Sequence, residues 1–195
     1  MFLKLISSVN WIDILIIGFA VRVIYTGIKN GFVTELFKLA GVLCAIFITF
    51  HYYTDLAKFL HRHISLAESL LSVLCFGVLL ILVLLLFKLI REGIMLVFKI
   101  QAHPLLDQWG GLAVSILRSL LAGSLILISL QIFEIEYLQK NVKKSFFHPY
   151  LFDLSPKVYK SCYAGFISRF FPNEKLNPAV FKLKGEKAPE DSKKY

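Results

Sequence analysis

The chain has 195 residues, 57% of them apolar, 14% aromatic and 18% charged, with a formal net charge of +9. An average soluble domain is about 45 to 50% apolar and about 25% charged, so a soluble globule with a mean hydropathy of +0.68 would lack the polar residues to cover its surface. The same balance excludes a disordered chain, a collagen-like chain and a secreted disulfide scaffold; Cys44, Cys75 and Cys162 are too few and too scattered for a framework and read as free thiols.

Crossing a bilayer as a helix takes about 17 to 25 apolar residues. Four runs qualify: residues 11–28, interrupted by Asp13 and Arg22; 32–53, with Glu35 and Lys38 near its start; 69–87, uncharged; and 112–133, with Arg118 alone. The expected fold is an all-α membrane protein of four transmembrane helices in two antiparallel hairpins, with amphipathic interfacial helices. The first run is a poor signal peptide, because two charges break its apolar stretch and a second run follows at once, so it is expected to stay.

The first link is as short as Lys29 to Gly31, and Gly27 and Gly31 read as hairpin glycines rather than as a dimer face. The second link, residues 54–68, is polar, with Asp55, Lys58, His61, Arg62 and His63. In residues 88–103 the polar positions Lys88, Arg91, Glu92, Lys99 and His103 recur at helical spacing, which predicts a helix lying among the headgroups and stopping before Pro104.

Residues 1–133 are thus expected to form the membrane domain and residues 134–172 an amphipathic tail. Within that tail Ser155 reads as an N-cap and Pro156 as the first residue of an interfacial helix over 156–171. Its apolar stripe, Tyr159, Cys162, Tyr163, Phe166 and Phe170, is expected to dock on the membrane surface or on the bundle. From Asn173 to the end, residues 173–195, Lys, Glu, Pro and Ser dominate and predict disorder.

Several short patterns then fall in a recognisable order. Trp11-Ile12-Asp13 opens the first span, Gly31-Phe32 followed by Glu35 opens the second, and His51-Tyr52-Tyr53-Thr54 closes it. Asp107 and Gly110-Gly111 precede the fourth span, and Leu117-Arg118 lies inside it. In these features the chain resembles the colicin V production protein family of bacterial inner-membrane proteins. The resemblance implies a multi-pass envelope protein linked to toxin production or export and to envelope homeostasis, and it implies no chemistry.

With four spans, parity places the first and third links on one face. At about 1.5 Å per residue, Arg22 and Arg118 then lie about 9 Å inside their span ends and Glu35 about 4 to 5 Å, so the three share a layer. A lone charge at mid-bilayer costs about 2.5 to 3.5 kcal/mol, which favours Glu35 accepting from Arg22, Arg118 or both. The alternatives are a transport or gating layer, or separate snorkelling of each charge, the expected behaviour of Lys38. Asp13 lies toward the opposite face and reads as an interfacial cap for the first span rather than a proton carrier.

His51, Asp55, His61 and His63 lack a recognisable ligand spacing, and there is no phosphate-cradling loop, nucleophile elbow or HExxH motif. No catalytic residue, metal or cofactor is therefore assigned, and the chain is expected not to be an enzyme. Nucleic acid is excluded as a partner because the lysines flank apolar spans. The expected partner is the lipid bilayer, joined by a membrane protein or by further copies of the chain. Positive residues near the membrane are most numerous on the tail side, but short links weigh more than long tails, and the orientation expected is with both termini outside the cytoplasm. The function expected is accessory or scaffold, with a small oligomeric channel or solute transporter built on Arg22, Glu35 and Arg118 as the alternative.

Overall fold

The computed structural model describes residues 10–63, 66–97, 104–133, 135–167 and 176–182. Four long helices dominate: α1 Trp11–Asn30, α2 Phe32–His61, α3 Glu68–Val97 and α4 Pro104–Ile132. All four are long and apolar enough to cross a membrane. They form a helical membrane bundle.

The helices outrun the apolar stretches that define the spans. A helix of 30 residues, as in α2, is about 45 Å long against a hydrocarbon core of about 30 Å. Thr54 to His61, expected as link, are the last turns of α2, and Lys88 to Val97 extend α3 without a break. Nothing stops α3 at Lys88, since the next residues are good helix formers and Lys88 pairs with Glu92 one turn on at 4.0 Å. Residues 98–103 lie outside the described residues. Helix α4 starts at Pro104, a residue suited to a first turn, with Asp107 complementing its positive end.

Only Gly31 separates α1 from α2, at φ +80, where a side chain would be strained and would also run into the Asp107 carboxylate. Past this turn α1 packs chiefly on α4, whereas α2 packs on α3 and also on α4; α1 and α2 themselves touch little. The contact between α1 and α4 follows from small residues spaced by four on α4: Gly111, Ser115, Ser119 and Gly123. A Cβ on Gly27 would collide with Ser115, and one on Gly111 would come within 2.7 Å of the Gly27 carbonyl oxygen. In lipid such close approach drives helix association, because burial of apolar surface contributes little there. Gly27 therefore serves a helix crossing, one turn before the actual reversal at Gly31.

The central pair, α2 and α4, carries an apolar core that includes Ile46, Phe50, Leu125 and Ile128. The tail folds onto it. Helices α5 Glu136–Lys144 and α6 His148–Leu151 pack on α4, and α7 Leu154–Cys162, continuing into a π-helical turn Tyr163–Ile167, packs on both α2 and α4.

Two expectations for the tail are corrected. Helix α7 has Asp153 as its N-cap residue, because Ser155 is fully buried and bonded to α4: its N–H donates to Ser124 Oγ at 3.0 Å and its hydroxyl to the Leu121 carbonyl at 3.3 Å. Disorder from Asn173 onward does not hold for 176–182, where α8 Pro178–Lys182 seats Val180 in the core. Residues 173–175 and 183–195 lie outside the described residues.

Candidate functional site

Glu35 lies one turn into α2 and is fully buried. Lys38, three residues on and so on the same helix face, donates to its Oε1 at 2.6 Å, and Asn30 Nδ2 donates to the same oxygen at 3.3 Å. Across the bundle, Arg118 Nη2 on α4 sits 2.8 Å from Oε2. This last contact is an ion pair without hydrogen-bond alignment, since Oε2 has no hydrogen-bond donor among the described residues. A buried carboxylate would be costly alone, and here two cations share it.

Of the layer expected from parity, Glu35 and Arg118 are brought together and Arg22 is not. Arg22 is exposed and forms no ion pair with a described residue. The buried stripe of α1 runs through Ile12, Ile16, Val23 and Gly27, and Arg22 is a third of a turn off it. Lys38 joins Glu35 rather than reaching separately for the headgroups.

Beside this cluster the Gly31 turn is held by Asp107, whose Oδ1 accepts the Phe32 N–H at 2.7 Å and so caps α2 from another helix. Sequence reasoning cited Asp107 only as part of a pattern. Its signal as a cap was its pairing with a glycine that opens a helix without any capping side chain of its own.

At the other end of the bundle Asp13 is fully buried. Its Oδ2 accepts the Asn10 N–H at 2.9 Å, and its Oδ1 accepts the Ser145 hydroxyl at 2.5 Å. Asn10 Nδ2 in turn donates to the Asn141 carbonyl at 2.9 Å. Asp13 thus closes the start of α1 and also ties the tail to it.

Tyr159 is the fully buried member of the tail stripe, edge-on to Phe50 and 3.1 Å from His51 Nδ1 through its hydroxyl. Its hydroxyl also accepts the Asn177 N–H at 3.1 Å. Cys162 and Tyr163 are half-buried. Phe170 and the side chain of Phe166 lie outside the described residues. Among the described residues no group of three or more His, Cys, Asp and Glu could hold a metal ion.

A cavity of about 410 Å³ adjoins the Glu35 cluster. Lys38, Lys88, Arg91 and Arg118 line it, with Phe19, Val23, Leu84 and Phe87 among its apolar walls.

A family model described as Colicin V production protein matches residues 12–156. No curated protein and no solved structure gives a match. The matched residues include all four long helices, the Glu35 cluster, the Gly31 turn and the tail through the start of α7.

Proposed function

Because the chain belongs to the Colicin V production protein family, a non-catalytic accessory family of the bacterial inner membrane, we propose that it supports production and export of a colicin V-like toxin, and envelope homeostasis, as an accessory or scaffold protein. It is a multi-pass protein of the inner membrane with an envelope- or colicin-related role. The scaffold mechanism is our reading of the bundle. The observation that carries it is the packed centre: Ile46, Phe50, Leu125 and Ile128 fill the space between α2 and α4. A single bundle of this kind supports partners on its outside rather than passage through its middle.

In this reading the spans alternate in direction as two antiparallel hairpins, residues 1–133 act as the membrane unit, and the tail of 134–172 rides on it with one face toward the membrane interface. Both termini lie outside the cytoplasm, which puts the Gly31 end, with Lys29, Lys88 and Arg91, on the cytoplasmic side once short links are weighted above the more basic tail. The partner is a second membrane protein or further copies of the chain. Glu35, Arg118 and Lys38 serve as a structural lock, and Gly27 and Gly31 set the geometry that lets it close.

The test is toxin release by a strain that carries a colicin V-type operon and lacks this chain. Active toxin in the medium should fall while cell-associated toxin persists, and the wild-type gene should restore it. Unchanged release contradicts the proposal. The channel reading draws on the cationic cavity, and flux measurements separate it from the scaffold reading.

A further inference from the structure

We propose that the cavity beside Glu35 binds a phosphate-bearing amphiphile of net negative charge, with the phosphate among Lys38, Lys88, Arg91 and Arg118 and an acyl chain against the aromatic and aliphatic walls. This goes beyond the accessory reading and does not depend on it. The cavity exists because α1 and α3 scarcely touch, so they stand as walls on either side of the central pair α2 and α4.

Charge is the first argument. Four cations line the cavity, and among the described residues two carboxylates answer them: Glu35, held by Lys38 and Arg118, and Glu92, 3.4 Å from Arg91 and 4.0 Å from Lys88. Among those residues two positive charges are left unmatched in a site walled by apolar side chains. Glu92 is half exposed, so its pairs are weak rim contacts that a stronger anion displaces. A guanidinium also carries five N–H donors, and Glu35 is the single anion that Arg118 contacts among the described residues. A phosphate oxygen is the acceptor that matches such donors best.

The walls decide the rest of the ligand. Phe19, Val23, Leu84 and Phe87 would strip water from a free inorganic ion without replacing it, whereas they suit a hydrocarbon chain. The volume, about 410 Å³, is that of a pocket for a headgroup and the first part of its chains rather than for a small ion.

The experiment uses the purified full-length chain in neutral detergent, with phosphatidylglycerol, phosphatidylcholine or inorganic phosphate added, and native mass spectrometry to count retained molecules. One phosphatidylglycerol per chain should be retained in preference to phosphatidylcholine. Lys88→Gln with Arg91→Gln should weaken that retention roughly 10- to 30-fold, whereas Lys140→Gln with Lys144→Gln, which removes the same charge from α5, should not. Leu84→Trp, which keeps every charge but narrows the cavity, should weaken it too. Inorganic phosphate that binds with the same dependence on Lys88 and Arg91 would assign the source to a free anion and keep the phosphate site. Equal retention of the two lipids, or equal loss in the cavity and α5 variants, would overturn it.

Discussion

Ser145 donates a 2.5 Å hydrogen bond to the buried carboxylate of Asp13, joining the end of α5 to the first turn of α1 across 132 residues. With it, an acid that a sequence reading assigns to a helix cap becomes a tail anchor as well. Among the described residues the same oxygen has no cation to replace the hydroxyl, so its removal takes away the partner of a buried carboxylate oxygen.

Ser145→Ala is therefore expected to destabilise the protein by about 1 to 3 kcal/mol. Thermal unfolding in detergent measures this, and limited proteolysis should show the tail cut earlier than the bundle. Ser129→Ala is the control, because among the described residues that hydroxyl bonds only the carbonyl of Ile126 one turn back. It should change little.

For the Glu35 cluster, removing the carboxylate leaves Lys38 and Arg118 without their shared anion, whereas removing Arg118 leaves Glu35 on Lys38. Glu35→Gln is expected to cost about 3 to 5 kcal/mol, Arg118→Gln less, and the double variant less than their sum. Arg22→Gln should be within about 0.5 kcal/mol of wild type, as for an exposed side chain outside the packed stripe. A double-mutant cycle on detergent-solubilised protein reads the Glu35 and Arg118 values, with Arg22→Gln unfolded alongside as a separate variant.

The described C-terminal segment is anchored through Asn177. Asn177 Nδ2 donates to the Phe50 carbonyl at 2.7 Å and to Thr54 Oγ1 at 2.9 Å, so Asn177→Ala strips donors from buried acceptors. We expect a loss of about 1 to 3 kcal/mol. Truncation after Lys182 keeps this anchor, whereas truncation after Asn173 removes it and should lower the melting temperature by several degrees relative to the longer form.

His148 stacks on Phe152 with ring centroids 4.7 Å apart. Burial pushes its pKa below the ordinary value of 6.5, Lys143 adds to this, and Asp153 opposes it. A histidine held low when folded binds protons more readily when unfolded, so its contribution to stability is complete above about pH 6.5 and is lost as pH falls through the lower folded value. The tail should accordingly loosen at mildly acidic pH. His148→Phe should flatten the acid side of the stability profile below about pH 6.5 and leave its neutral part intact.

What could be read from the sequence follows from what kind of signal each feature leaves. The four spans are composition, and they came through as four long helices, though their ends did not, since a helix does not stop where its apolar run does. Glu35 and Arg118 were brought within reach by parity and rise per residue alone. Arg22 passed the same depth test and failed on azimuth, which depends on which face of α1 meets α4. That face is set by Gly27 against Gly111 and Ser115, a steric fit between residues far apart in the chain. The docking of 176–182 was hidden for a similar reason: a polar composition predicted disorder, while a single asparagine meeting the end of α2 supplies the order.

The accessory reading rests on the packed contact between α2 and α4, and the flux of ions and small solutes through proteoliposomes containing the purified full-length chain tests it most directly. The account predicts flux no greater than in protein-free vesicles, with Glu35→Gln making no difference. Flux well above that background, abolished by Glu35→Gln in protein that still reconstitutes, would contradict it and make the charged layer part of a conduction path.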